Sequence, residues 1–321
     1  MAKRQTAKLA TPRPKQVTTL ERLTFAWWNT SLSPPRTNRL QEEAQKRVAV
    51  KVVKFLLRDL AVDCLALGEV STNDLVSLSD QCALGYHDVF DGTKSDNLEF
   101  NTGVIYNSTR LVKRGGLSLI SNKGTGSLKV ANRLEFFIPS SHSSLHVFVS
   151  HWSSRVLEVH TKKREDLGIA LKYAVDNIRA TCVKPAIILI GDFNDEPFDP
   201  SLAHHLLATR DRELARSNTD FFYNPFWRHL GESHFYIPET ETTSFGGTCF
   251  CRSDPGTHWR TLDQIIFSSS FLSQGNWQLN ERETAILRLP PLDHLVQDAN
   301  AKFDHFPVIS VIETQLKGIK R

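Results

Sequence analysis

The sequence predicts a single α/β domain in which packed sheets carry helices on their outer faces. Three observations predict it. Short apolar runs separated by turn residues recur along most of the chain, and two longer segments between them space their apolar residues as helices do. Neither an internal repeat nor a linker interrupts residues 21–316. With 321 residues, 40% of them hydrophobic and 23% charged, there is material for a large core.

Taken in order, residues 1–20 form a basic tail holding Lys3, Arg4, Lys8, Arg13 and Lys15 and no acid. Its two prolines and few large apolar residues suit a solvated, disordered arm, and its charge suits a polyanion. The other 34 basic side chains face 35 acidic ones, so the net charge of +4 belongs to the tail. Leu23 to Asn29 reads as a buried strand ending on a polar residue, and Ser33-Pro34-Pro35 breaks the chain. Thr37 or Asn38 can cap a helix carrying Leu40, Ala44, Val48, Val52, Leu56 and Leu60. Cys64 to Leu67 is an apolar strand closing on Gly68-Glu69. Strand-like runs follow at 103–106, 117–120, 134–138 and 145–149, the last leading into Ser150-His151-Trp152.

A second helix is expected over 161–181, then a buried strand, Ala186 to Ile190, that runs into Gly191-Asp192-Phe193-Asn194-Asp195. A helix from Leu202 to Leu214 and an aromatic-rich irregular region from Phe221 to Ile237 come next. Strands at 262–267 and 308–312 complete the domain of residues 21–316, leaving 317–321 as a tail.

Five cysteines, an odd number with only Cys249 and Cys251 close in sequence, read as free buried thiols of a reducing compartment. C-x-C lacks the second pair that would complete a zinc site. No apolar window approaches a membrane span and no apolar stretch follows the basic N-terminus, so the expected location is cytoplasmic.

Function is suggested by where polar residues fall. Asn29, Glu69, His151 and Asp192 each follow an apolar strand, Asp263 opens one, and Asp304-His305 precede another. Strand ends gathered at one sheet edge can aim such groups into one cleft. Carboxylates such as Glu69 can hold Mg²⁺, a histidine beside a carboxylate can move protons, and Asn194 can bond a phosphate oxygen without adding charge. A distant Asp263 could orient His305 and stabilise its cation. Each has an ordinary alternative: Gly-Asp-Phe-Asn as a turn, Asp-His as turn chemistry, His151 as a packed histidine, Glu69 as a solvated charge.

Together these segments resemble the endonuclease/exonuclease/phosphatase superfamily, which includes DNase I and the exonuclease III type of apurinic endonuclease. Trp28-Asn29, Gly68-Glu69, Ser150-His151-Trp152, Gly191 to Asn194, Leu262-Asp263-Gln264 and Asp304 to Pro307 occur in the family's order. The resemblance implies a four-layer α/β/β/α sandwich with two central mixed sheets and the site at one edge. It implies metal ligation by Asn29, Glu69 and Asp304 and catalysis by His151, Asp192, Asn194, Asp263 and His305. The cofactor implied is Mg²⁺, with Mn²⁺ as a substitute. Arg155 is a candidate phosphate contact or a surface charge. Phe303, where many members have Ser, and Gln264, where several have an aromatic or Arg, depart from the family pattern.

The basic residues of inositol phosphatases are absent after Asn194 and Asp263, and no lipid anchor is visible. A nuclease acting on DNA or RNA is therefore the expected activity. A phosphatase or phospholipase C-type hydrolase of phosphoinositide, sphingomyelin or another small phosphate ester is the alternative. The aromatics Phe221 to Trp227 could stack on bases or fill the core beneath a loop.

Overall fold

The computed structural model describes residues 18–33, 39–123, 126–155, 159–231, 246–272, 275–298 and 300–317. Most of the basic tail, the Pro-Pro break, the helix cap at 37–38 and the end of the aromatic region lie outside them.

Strand β1 (Thr18–Asn29) leads to helix α1 (Arg39–Lys54), which continues in a wider π-helical turn over Phe55–Asp59. Strand β2 (Cys64–Gly68), helix α2 (Thr72–Cys82) and the hairpin of β3 (His87–Ser95) and β4 (Leu98–Asn107) follow. The second half begins with β5 (Val112–Lys123), β6 (Gly126–Ile138) and β7 (Ser143–His151). Then come α3 (Val159–Arg179), β8 (Ala186–Asp192), β9 (Ala208–Thr209), α4 (Arg212–Ser217) and β10 (Phe222–Tyr223). Finally β11 (Cys249–Phe250), β12 (Trp259–Arg260), β13 (Asp263–Ser268), β14 (Gln278–Ile286), α5 (Pro290–Asp293) and β15 (Val308–Lys317) complete the chain.

Two mixed sheets result, ordered β14-β15-β1-β2-β4-β3 and β5-β6-β7-β8-β13-β10-β9. Alternation along each strand explains how they stack. Phe25 and Trp27 of β1 face the other sheet, where Phe136, Val147, Ile188 and Ile265 meet them. Ala26 and Trp28 point the other way, into a layer shared with Ala49, Val52 and Val53 of α1 and Leu75 and Leu78 of α2. On the far side, Phe148, Leu189 and Ile266 pack against Leu167, Leu171 and Val175 of α3. The layers are therefore α/β/β/α, as the resemblance implied. Each fully buried aliphatic or Phe side chain contributes roughly 1.5–3 kcal/mol, so three apolar layers fix the strands firmly.

The structure departs from sequence expectation in several places. Thr18 to Leu20 belong to β1 and pair with Lys317 to Gln315 of β15, so the strands run slightly past both expected domain limits. The helix expected over 202–214 is broken: Leu207 takes a left-handed φ of 60°, and Ala208 and Thr209 pair with Phe222 and Tyr223. Of the two readings open for the aromatics, core filling holds at 222, 223 and 226, which are buried. Cys182 is exposed, not buried, and none of the five cysteines is in a disulfide.

Candidate active site

Parallel strands need a crossover connection, and each sheet has one such pair of long strands. In the first, β1 runs beside β2 with Asn29 opposite Gly68. In the second, β7 runs beside β8 with His151 opposite Asp192. Both pairs stop at the same edge. The antiparallel strand β13 starts there with Asp263 opposite Asp192, and β15 starts there just after Asp304 and His305. Eight candidate residues from distant parts of the sequence thus meet at one edge for topological reasons.

The hydrogen bonds join them. The Asn29 amide donates to Glu69 Oε1 and to Asp192 Oδ2, 3.2 Å in each case. His151 Nε2 lies 3.7 Å from Glu69 Oε1. His305 Nδ1 is 2.7 Å from Asp263 Oδ2, and Trp27 Nε1 donates to Asp263 Oδ1 at 2.7 Å. That fixes the ring with its Nε2 3.8 Å from both Asp192 Oδ2 and Asp304 Oδ1. Ser31 Oγ donates to Asp304 Oδ1 at 3.1 Å, and the Ser31 amide donates to Asn29 Oδ1 at 3.2 Å. Trp28 Nε1 holds the His305 carbonyl at 3.2 Å.

The backbone is bent to reach this geometry. Ser31, Glu69 and Asn194 adopt left-handed φ angles of 52°, 51° and 52°, a conformation that costs non-glycine residues free energy and concentrates at functional sites. Gly191 has φ 155°, and a Cβ there would lie 1.9 Å from the Ser150 carbonyl oxygen, so only glycine fits. This turn lets the Asn194 amide cap Asp192 Oδ1 at 2.8 Å, while its side chain donates to the Trp152 carbonyl at 3.0 Å. Asn194 Nδ2 carries a second hydrogen, which remains for another acceptor.

Electrostatics distinguish the groups. Burial, then the nearby Asp263 charge, raises the Asp192 carboxyl to about 6, against the opposing pull of His305 and His151. Burial pulls the His305 pKa down, but Asp263, Asp304 and Asp192 outweigh it and hold the imidazole well above its ordinary value. Burial lowers the His151 pKa against the opposing pull of Asp192, with Lys129 and His305 adding to the lowering, which favours the neutral ring.

Glu69, Asp192, Asp263 and Asp304 converge here, an excess of negative charge that suits a hard cation. Asp192, Asp263 and His305 place ligand atoms within 4.8 Å of one another. Asp263 is fully buried and already bonded to Trp27 and His305, so it serves the histidine. Oxygens of Glu69, Asn29 and Asp304 fit Mg²⁺ better. Glu69 and Asp304, with Ser31, Arg252 and Lys302, line a cavity of about 220 Å³.

Arg155 is placed elsewhere: its guanidinium pairs with Asp199 at 2.8 Å and Asp195 at 3.5 Å. Behind the loop, Asp195 also accepts from buried Arg164 and from Ser201, both at 2.6 Å. Gln264 donates to the Asp195 carbonyl at 2.8 Å and accepts from Asn224 at 2.7 Å. The unusual Gln264 therefore braces the site from behind. Phe303 stacks on Trp28, ring centroids 5.8 Å apart, where its apolar ring completes the packing beside His305. Sequence reasoning overlooked Trp27, Ser31, Arg252 and Lys302. For Trp27 a signal existed, since it sits two residues before Asn29 on the same strand face.

A four-layer sandwich with an acidic and histidine site at the shared strand ends defines a phosphoesterase class. This chain belongs to the Endonuclease/Exonuclease/phosphatase family, whose sequence model matches residues 69–308, and so to a family of metal-dependent phosphoesterases. No curated protein matches it by sequence. Among solved structures, an endonuclease/exonuclease/phosphatase family protein from Bacteroides thetaiotaomicron is similar at 14% identity, covering 95% of this chain and 99% of that one, TM-score 0.60. The mannosyl-6-phosphatase Bt3783 from the same organism is similar at 13% identity, covering 90% and 99%, TM-score 0.57. D. rerio TDP2 complexed with single-strand DNA product is similar at 15% identity, covering 91% and 98%, TM-score 0.55. At these identities the likeness concerns the fold.

Proposed function

We propose that the chain is a Mg²⁺-dependent nuclease that hydrolyses phosphodiester bonds of DNA or RNA. The observation that carries the chemistry is the Asp192, Asp263 and His305 cluster at the strand-end edge, beside Asn29 and Glu69. Asn29, Glu69 and Asp304 would hold the cation. When bound, it neutralises phosphate charge and stabilises the leaving oxygen. Asp192, raised to about 6, takes the proton from the attacking water at a pKa suited to a base near neutral pH. His305, kept cationic by Asp263, bonds a non-bridging phosphate oxygen. Asn194 offers its second amide hydrogen to the same phosphate, and neutral His151 donates a hydrogen bond to the leaving oxygen.

Nucleic acid is favoured by the cationic side chains of Arg252 and Lys302 at the cavity and by the likeness to a structure holding a DNA product. The small cavity, about 220 Å³, favours a second reading, a phosphatase or phospholipase C-type hydrolase of a phosphoinositide, sphingomyelin or other small phosphate ester. The fold's likeness to a mannosyl-6-phosphatase is compatible with it. Purified protein with Mg²⁺ or Mn²⁺ is to be assayed on plasmid, single-stranded DNA, RNA, phosphoinositide, sphingomyelin and a sugar phosphate. Cleavage of polynucleotide is expected; turnover of a small ester or lipid with every polynucleotide intact would select the second reading.

A further inference from the structure

Cys249 and Cys251 flank Phe250 on a short extended segment, so both thiols leave its same side. Their sulfurs are 3.5 Å apart and not joined. This segment runs antiparallel to the stretch before β15. Phe250 donates its amide to the Asp304 carbonyl and Phe306 donates to the Thr248 carbonyl, both at 2.8 Å, which sets Cys249 opposite His305. One ligand atom each from Cys249, Asp304 and His305 lie within 4.8 Å of one another, and Cys251, outside that group, adjoins it through its 3.5 Å contact with Cys249. The second pair that C-x-C lacks in sequence is therefore supplied in space, from more than fifty residues away.

We propose that Cys249, Cys251, Asp304 and a ring nitrogen of His305 form a site for a thiophilic divalent cation, Zn²⁺ or Cd²⁺, whose occupancy shuts down the phosphoesterase site. A tetrahedral Zn²⁺ with sulfur ligands at about 2.3 Å holds the two sulfurs roughly 3.8 Å apart, close to the separation already present. Two sulfurs, one nitrogen and one oxygen are a donor set that soft or borderline cations take and Mg²⁺ avoids. The two thiols and the His305 imidazolium each give one proton to solvent on binding. A route in exists: Cys251 is partly exposed and Asp304 lines the open cavity. Inhibition follows from the histidine. An ion on one ring nitrogen removes the group that meets phosphate, and an ion on the other displaces Asp263. Asp304, shared with the hard-cation side, is withdrawn as well.

The inhibition rests on the phosphoesterase reading; the binding does not. The full chain, kept reduced with a phosphine and in excess Mg²⁺, is titrated with Cd²⁺ and followed by thiolate-to-cadmium charge-transfer absorption. A band saturating at one ion per chain is expected, lost in Cys251→Ser and in Cys249→Ser and retained in Cys182→Ser. In parallel, Zn²⁺ is titrated into the hydrolysis of a synthetic phosphodiester. Chelator-reversible inhibition is expected, with Cys251→Ser needing at least about tenfold more Zn²⁺. An undiminished band in Cys251→Ser overturns the site. Equal inhibition of wild type and Cys251→Ser, or binding without inhibition, overturns the switch. If no phosphate ester is turned over, the phosphoesterase reading fails while the cadmium band still decides the site.

Discussion

Asp192 and Asp195 lie three residues apart, are both buried, and both have a carboxyl raised to about 6 chiefly by burial. Their partners differ. Asp195 accepts from the Arg164 guanidinium and the Ser201 hydroxyl, with Arg155 beside it, a full set for a fixed anion. Among the described residues Asp192 accepts only from the neutral Asn29 amide and the Asn194 backbone, and its nearest cationic partner is His305 at 3.8 Å. A shifted pKa therefore identifies burial, while the partner list separates a structural anion from one left free to do chemistry. The first holds the loop in place; the second faces the reaction.

The largest effect that tests this contrast is on activity. Asp192→Asn is expected to lower kcat by about 10²–10⁴-fold, the usual contribution of a general base, with KM little changed. The same variant is expected to be more stable than wild type without metal at pH 7. A carboxyl raised from 3.8 to about 6 destabilises the fold by at most about 3 kcal/mol, and losing the Asn29 bond gives back about 1, leaving on the order of 2. Chemical denaturation of the metal-free proteins measures it; a variant less stable than wild type would class Asp192 with Asp195. Next in size, Arg164→Ala strands the buried Asp195 charge and is expected to cost about 3–5 kcal/mol of stability. A loss below about 1 kcal/mol would remove Asp195 from the structural class.

Acid titration of stability sharpens the same point. Because the folded-state pKa of Asp192 exceeds its unfolded value, the folded chain binds more protons between about pH 4 and 6. The Asp192 contribution therefore falls as pH rises through that window and is recovered on acidification. Subtracting the Asp192→Asn curve from that of wild type without metal isolates it, and a flat difference across the window would exclude the shift.

Much of this fold was legible because the signals are local. Runs such as Cys64 to Leu67 and Ile187 to Ile190 are buried on both faces, and each ends where apolar side chains stop and a site residue begins. Helix α2 escaped notice although Ser71 and Asp74 form a reciprocal cap, because its inward face carries only Leu75, Leu78 and Cys82. The expected helix after Leu202 failed at Leu207, whose left-handed turn precedes the pairing of Ala208 and Thr209 with residues fourteen positions on. The candidate residues of the site were readable at strand ends, except that Arg155 is engaged by Asp195 and Asp199 instead. What could not be read is long-range pairing: Arg164 with Asp195, Trp27 with Asp263, and Cys249 with His305 are 31, 236 and 56 residues apart, and only the sheets bring them together.

The smallest expected effect comes from the rim, where the reacting groups meet solvent. Ser31 anchors two site residues at once, its amide on Asn29 Oδ1 and its hydroxyl on Asp304 Oδ1. Ser31→Ala keeps the first bond and removes the second, and Asp304 has a side chain 42% exposed, so water can replace the hydroxyl. A bond of this kind is worth about 0.5–1.5 kcal/mol, which corresponds to roughly 2- to 12-fold in kcat/KM. The loss should appear as a higher Mg²⁺ requirement, because the hydroxyl orients a cation ligand rather than the base, and the denaturation midpoint should barely move. A loss as large as that of Asp192→Asn, with an unchanged Mg²⁺ requirement, would place Asp304 among the groups that move protons and redraw the division between holding and reacting carboxylates.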